Sequence, residues 1–559
     1  MFRRRGGSAP AAAGTEARHD LTTGVARTAA AAVGGAAHDD GVKTIAILDV
    51  GSNTTKLCVY AVKQGVWWRQ LDELRAVVRL NSGSGESGAL TDTAMERGLA
   101  VLERFADYLA SVGVDVIRAT ATSAVRDATN GAEFLARAKG RAGLAIETLD
   151  GEEEARLGAL AVANSFALDD MVVLDVGGGS AQLSLIRGRR VVEARSWPLG
   201  AVATTERFLR SDPPTKQELA SLRRHVRRSV EGWFTGAGAT GLPLVGMGGT
   251  VRNLGNYALQ LAGAPIDFLH GYSVDTRRLA KLVSRVVKAT IAERGQIAAL
   301  SSDRADIIAA GAVVVHEVVK AAGVEALALS GQGLREGLLY EFLLPDRRPA
   351  LVADVRRFAI DNLRGRSGFS WPLGKDPSHV EALALSIYDA LPALGDGAQE
   401  RDLLGAAARL HDVGKVVDYR DQHKHGLGLI MSEPVPGYSQ REQALIALLV
   451  RYQRSGKPSV NGLGTMVRPE DAGMLERLAG VLRLAVAFDR TGTGRVARLT
   501  CTVSGGTLSI VAHVRPSPSA ARGGPVDSGA TCVDVDAARG VTGLLRQTYG
   551  LDVSIEAAG

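Results

Sequence analysis

At 559 residues with 46% hydrophobic content, the chain is too long for a single core and carries enough apolar material for three or four. No apolar run approaches the length that spans a bilayer, so stable membrane insertion is not expected. Three cysteines, Cys58, Cys501 and Cys532, without metal-ligand spacing, exclude a disulfide scaffold and point to a reducing, cytoplasmic setting. The net charge of +6 favours a polyanionic partner, and the absence of aromatic stacking motifs or zinc-finger spacing argues against nucleic acid.

Residues 1–42, rich in Ala, Gly, Arg and Thr without sustained periodicity, read as a disordered leader or an overlong start. Glu16, Asp20, Asp39 and Asp40 are out of character for a transit peptide. The first informative stretch, residues 47–60, ILDVGSNTTKLCVY, occurs again at 173–186 as VLDVGGGSAQLSLI. Each copy runs an apolar strand into Asp-Val-Gly, crosses a turn of small residues and leaves on a second strand. Glycine permits close approach of a ligand to the backbone, and exposed turn amides make an anion-binding nest. Each copy also ends its first strand on a carboxylate, Asp49 or Asp175, and a hard cation on phosphate oxygens is commonly held by one or two such groups. The long period predicts two homologous half-domains, 43–166 and 167–345, that share one cleft for phosphates and magnesium.

Within the first half the pattern predicts a strand near Trp67–Leu71, a helix over Thr91–Val112 and a strand over Val114–Ala119. That strand leads to Arg126, whose planar donor fork suits phosphate. A short strand at Ile146–Leu149 precedes a helix opening on Gly151-Glu-Glu-Glu-Ala-Arg156; acidic residues in a first turn complement the helix dipole. The second half is expected to hold a polar helix from Lys216 to Phe234, with Arg223, Arg224, Arg227 and Arg228 on its solvated face. A strand at Pro243–Val245 enters the turn Gly246-Met-Gly-Gly-Thr250. An apolar packing helix over 304–320 and a strand at Ala326–Leu329 lead into Ser330-Gly-Gln-Gly-Leu-Arg335.

The loops Asp49-Val-Gly-Ser-Asn53 and Asp175-Val-Gly-Gly-Gly-Ser180, with Gly151–Arg156 and Ser330–Leu339, resemble the exopolyphosphatase / guanosine pentaphosphate phosphatase family over roughly residues 43–500. Thr54 stands where that family usually has serine, and the hydroxyl is kept. The resemblance implies an α/β fold, the duplicated actin-like ATPase (ribonuclease H-like) architecture, and an arginine at 126 that contacts polyphosphate. It also implies that Glu154 is the general base on the attacking water. Family behaviour further implies a homodimer.

From Ala350 to Val496 the pattern turns to almost continuous helix. His379, His411-Asp412 and Asp489 offer nitrogen and carboxylate ligands in an order that resembles the HD phosphohydrolase superfamily, with Val413-Gly414-Lys415 completing its segment. The expectation is a helical HD-like domain over 350–496 with a possible second divalent metal at these four residues. His423, Lys424 and His425 in the basic stretch from Lys415 stand as additions to a phosphate channel or to that metal site. A small α+β domain over 498–559 is expected to contain strands at Leu499–Val514 and Thr531–Val535 around a polar loop at 515–529. A helix over Ala537–Tyr549 and a strand at Val553–Glu556 complete it.

The expected function is magnesium-dependent, processive release of terminal orthophosphate from inorganic polyphosphate. Asp49 and Asp175 place the metal, Asp175 also assists catalysis, and Glu154 activates water. Ser52, Asn53, Thr54, Arg126, Gly177, Gly178, Gly179 and Ser180 hold phosphate. The alternatives are hydrolysis of guanosine pentaphosphate, a non-catalytic polyphosphate or nucleotide sensor, and a kinase favoured by fold alone.

Overall fold

The computed structural model describes residues 41–82, 88–367, 376–516 and 532–558. The two copies of the repeated stretch open two sheets built to one plan. In the first, β1 (Val42–Val50), β2 (Thr54–Lys63), β3 (Trp67–Val77), β4 (Val116–Ala121) and β5 (Ile146–Thr148) lie in the order β3-β2-β1-β4-β5. In the second, β6 (Met171–Val176), β7 (Ala181–Arg187), β8 (Arg190–Trp197), β9 (Leu244–Met247), β10 (Ser273–Asp275) and β11 (Ala326–Leu329) lie in the order β10-β11-β9-β6-β7-β8. Reading outward from β1 or β6, each sheet has a meander on one side and parallel strands on the other, and the second sheet adds β10 antiparallel to β11 at its edge. This is the duplicated actin-like arrangement. The strands β1, β2, β6 and β7 are buried nearly throughout, as expected of central strands covered on both faces.

Helices form where apolar residues recur at helical spacing behind a capping residue. Asp92–Val112 starts behind Thr91, whose hydroxyl accepts from Ala94 N, and buries Met95, Leu99, Leu102 and Phe105. Asp150 caps Gly151–Ala163 by accepting from Glu152 N at 3.0 Å and Glu153 N at 2.7 Å, which fixes the first turn that carries Glu154. The expected apolar helix at 304–320 starts later, at Ile308, and runs to Ala322. Residues Ser302–Arg304 instead form a 3-10 turn, so Arg304 is free of the apolar face and turns toward the cleft.

Beyond residue 350 come the helices Val355–Arg366, Ser378–Tyr388, Gly397–Leu410, Gln422–Met431, Gln440–Tyr452 and Asp471–Ala487, around one apolar cluster that includes Leu403, Leu448, Leu482 and Phe488. The same cluster covers a small third sheet, β12 (Val496–Ser504), β13 (Thr507–Val514) and β14 (Asp552–Ala558). The strand expected at Thr531–Val535 is replaced by a helix, Val533–Arg539; Thr531 and most of the 515–529 loop lie outside the described residues. Val535 and Ala538, three apart, both pack inward, and Asp534 accepts from Thr491 N and Oγ1, so helical spacing wins over β propensity. The helix expected from Ala537 to Tyr549 is broken at Gly540 into two. Among the described residues no helix is long and apolar enough to cross a membrane.

Candidate active site

The two repeated turns meet. In each, the first glycine amide donates to the carbonyl three residues on, Gly51 N to Thr54 O at 3.2 Å and Gly177 N to Ser180 O at 3.0 Å, so the repeats share their hydrogen bonding as well as their sequence. A side chain at Gly178 would come within 3.1 Å of Ser52 Cβ, and one at Gly179 within 2.6 Å of Ser123 Oγ. Only glycine lets the loops approach this closely. Ser52 Oγ and Ser123 Oγ lie 3.0 Å apart on the first-half side of the contact.

Between the loops is a cavity of about 290 Å³ whose wall includes Asp49, Ser52, Asn53, Thr54, Glu154, Asp175, Gly177, Gly178 and Ser180. Nine of the expected site residues therefore face one space. Gly179 lies behind this wall, against Ser123 and Ser52. Arg126 is also set back: its Nη1 donates to Leu149 O at 3.1 Å and to Glu154 Oε2 at 3.3 Å, while Nε donates to Asp127 Oδ1 at 2.9 Å. Its geometry is that of a guanidinium holding the Glu154 carboxylate.

The floor is acidic. Burial raises the Glu154 carboxyl to about 8, with the Asp175 and Asp49 charges adding to the effect and Arg126 opposing it. Burial likewise raises Asp175 to about 6 despite Arg252, with Asp49 adding to it. Asp49 is raised by burial against the pull of Arg335, Lys56 and Arg252. Neither Asp49 nor Asp175 has a side-chain hydrogen bond within the described residues. Such a pair fits a hard divalent cation, which would neutralise both carboxylates while sharing phosphate oxygens. Among the described residues no three or more His, Cys, Asp or Glu side chains group to hold a metal by themselves. Two carboxylates completed by substrate is the donor pattern magnesium favours.

The same cavity also carries a set of cations that was not foreseen from sequence. Lys56, Arg75, Arg252, Arg304 and Arg335 all line the cavity, contributed by β2, β3, the helix Gly248–Ala262, the 3-10 turn and the helix Leu334–Leu343. Burial lowers Lys56 to about 8, with Arg252 and Arg335 adding to the effect, and lowers Arg304 to about 10. The available signals were the glycine turns. A side chain at Gly249 would meet Arg304 Nη2 at 2.3 Å, so the Gly-Gly pair at 248–249 makes room for that guanidinium.

The four residues expected to hold a second metal lie in the helical region, outside this cavity. The buried Asp412 carboxylate receives Arg364 Nη1 at 2.6 Å, and Lys415 Nζ is 3.9 Å away. His411 Nδ1 is 2.7 Å from Ala408 O, and Asp489 Oδ1 accepts from Gly494 N at 3.1 Å. His379 Nε2 is buried without a hydrogen-bond partner. An arginine supplies the positive charge that Asp412 was expected to draw from a metal, and these residues do not form a donor cluster. His423 is buried, with its Nδ1 likewise unpartnered.

Comparison with known proteins agrees with this geometry. A family model described as the Ppx/GppA phosphatase family matches residues 58–345, just over half of the chain, and one described as domain III of that phosphatase matches residues 375–511. Among solved structures, an exopolyphosphatase from Cytophaga hutchinsonii is similar at 25% identity and a TM-score of 0.51, with 54% of this chain and 98% of that one covered. An exopolyphosphatase-like protein is similar at 26% identity and a TM-score of 0.50, with the same two coverages, 54% and 98%. A Ppx/GppA family member from Aquifex aeolicus matches at 28% identity and a TM-score of 0.48, covering 55% of this chain and 99% of that one. With the repeated glycine turns, the buried acids between them and a family model spanning more than half its length, this chain belongs to the Ppx/GppA phosphatase family.

Proposed function

We propose that the chain is an exopolyphosphatase that removes orthophosphate from the end of inorganic polyphosphate, one residue at a time. The observation that carries this reading is the make-up of the cavity. Three buried acids and five cationic side chains line one space, and among the described residues its wall has no aromatic ring and one large apolar residue, Leu334. Such a surface suits a flexible chain of phosphates and offers a purine no stacking partner.

Glu154 takes a proton from water as its oxygen attacks the terminal phosphorus, and the bridging P–O bond breaks, leaving a chain shorter by one phosphate. The helix N-terminus at Gly151 and the Arg126 guanidinium fix the Glu154 carboxylate. The amides and hydroxyls of Ser52, Asn53, Gly178 and Ser180 receive the phosphoryl oxygens, preorganised by the two matching turns. Magnesium, held by Asp49 and Asp175, would neutralise charge on the transferring group. Lys56, Arg75, Arg252, Arg304 and Arg335 hold the rest of the chain, so each cleavage leaves a bound substrate ready to advance.

The test is orthophosphate release with magnesium from long-chain polyphosphate and from guanosine pentaphosphate in parallel. The proposal expects a larger kcat/KM for polyphosphate and product chains shortened from one end. A clear preference for guanosine pentaphosphate would reverse the substrate assignment within the same cleft. Saturable binding without release from either would favour a sensor.

A further inference from the structure

His270 lies outside the cavity, yet it touches the turn that feeds it. The side chain is 4% exposed and packs against Phe166 with ring centroids 4.9 Å apart. Its Nε2 is 3.2 Å from Ser165 O, and Gly331 N lies 3.2 Å from its Nδ1. A carbonyl can only accept and a backbone amide can only donate. The two partners therefore require a neutral imidazole with hydrogen on Nε2 and a lone pair on Nδ1. Burial holds the ring's pKa down at about 4, so this form persists at working pH.

Gly331 belongs to the turn from Ser330 to Gly333. Inside the turn, Ser330 Oγ receives Gln332 N at 3.1 Å, and Gly333 N donates to Glu336 Oε2 at 2.7 Å. Arg335 emerges immediately after and is pinned with Nη1 2.6 Å from Cys58 Sγ and 3.5 Å from Glu73 Oε2. Arg335 is also the basic group acting most strongly on Asp49. Both backbone groups of Gly331 are engaged: its N–H donates to His270 Nδ1, and its carbonyl accepts from Arg252 Nη1 at 3.4 Å. On its other side, His270 shares the Ser165 carbonyl with Gly437 N, which donates at 2.8 Å from the segment leading into the helix Gln440–Tyr452.

We propose that His270 is a positioning residue for the phosphohydrolase cleft: its Nδ1 holds the Gly331 amide and thereby sets where the Ser330–Gly333 turn delivers Arg335 and Glu336 beside Asp49. This rests on the cleft being the hydrolytic site. The function separates the two ring nitrogens. The Nδ1 bond orients the cleft, whereas the Nε2 bond only anchors the ring to Ser165.

Three full-length variants make that separation measurable. Asparagine places an amide oxygen near the Nδ1 position and keeps an acceptor for Gly331, glutamine reaches the Nε2 position and keeps a donor for Ser165, and phenylalanine fills the space with neither. His270→Asn is expected to keep kcat for polyphosphate within about threefold of wild type, while His270→Gln and His270→Phe lose about tenfold or more in kcat with a smaller change in KM, as misplacement of a charged group near reacting atoms predicts. Hydrogen exchange at the amides of residues 331–333, read on the same proteins without substrate, should be faster in the Gln and Phe variants than in the Asn variant. The opposite order, with Gln active and protected and Asn not, overturns the proposal. So does equal loss in all three that follows their melting temperatures. If wild type releases no orthophosphate from polyphosphate, the substrate assignment fails, and the exchange pattern still decides the role of His270.

Discussion

Glu154 is placed where its own environment opposes its ionisation and one neighbour partly offsets that opposition. Burial and the charges of Asp175 and Asp49 raise its pKa to about 8, while Arg126 Nη1, 3.3 Å from Oε2, favours the carboxylate that the proposed base role requires. Glu154→Gln keeps the volume and removes the base. We expect kcat to fall by about 10²–10⁴-fold without any loss of melting temperature, since a neutral amide removes the burial cost that raises Glu154, measured by orthophosphate release and calorimetry. A second buried acid serves stability instead. Glu317 is buried in the helix Ile308–Ala322, and although burial works against it, His316 and Arg227 hold its carboxyl down at about 2. Its pKa lies below the ordinary 4.5, so its contribution is fully present above about 4.5 and is lost as pH falls from there toward 2. Glu317→Gln should flatten that acid limb in urea melts at stepped pH and cost about 1 kcal/mol at neutral pH, the exposure of Arg227 keeping the figure small. A wild-type stability that does not change between pH 5 and 3 relative to the variant would contradict this assignment.

The working elements are turns, and they explain both what sequence makes plain and what it hides. The paired turns and their meeting at one cavity could be read directly because a hairpin keeps its pattern in five or six consecutive residues, and duplication marked it twice. Glu154 stood out by resemblance, in a capped helical turn whose boundaries sequence also set. Lys56, Arg75, Arg252 and Arg304 come from four separate segments and share no local pattern, so only folding brings them to one wall. Arg304 was further disguised by the apolar run beside it, which the sequence extends four residues too early. At the other end of the chain, Thr-Cys-Val-Asp-Val has the composition of a strand, but its Asp534 is needed by Thr491 and its Val535 by the helical core. Close contact between the turns is itself testable. A Cβ at Gly200 would lie 2.2 Å from Gly178 O, so Gly200→Ala must push the second glycine turn out of place. We expect ~1–3 kcal/mol of destabilisation, read by urea unfolding, together with a larger loss of kcat than stability alone accounts for.

Over the whole molecule, the cleft depends on how two similar sheets and the chain that leaves them are held together. Arg75 and Arg79 on the first half pair with Asp303 and Asp306 on the second, directly beside the cavity. Asn164, fully buried, spends its side-chain amide on the exit: Nδ2 donates to Leu160 O at 3.0 Å and to Ala350 O at 2.9 Å, and Oδ1 accepts from Val352 N at 2.8 Å. Asn164→Ala leaves buried backbone groups at 350 and 352 without partners and should cost ~2 kcal/mol or more in chemical unfolding. The helical region beyond that exit contributes a large core and an arginine-matched Asp412, whereas the two half-domains contribute the acids, the turn amides and the cationic side chains of the cavity. The most direct test is orthophosphate release from polyphosphate by wild type, Glu154→Gln and the double variant His411→Ala/Asp412→Ala, each confirmed folded. The account predicts that Glu154→Gln abolishes release and the double variant retains most of it. Release that survives Glu154→Gln and disappears with the double variant would move the chemistry out of the duplicated cleft and into the helices.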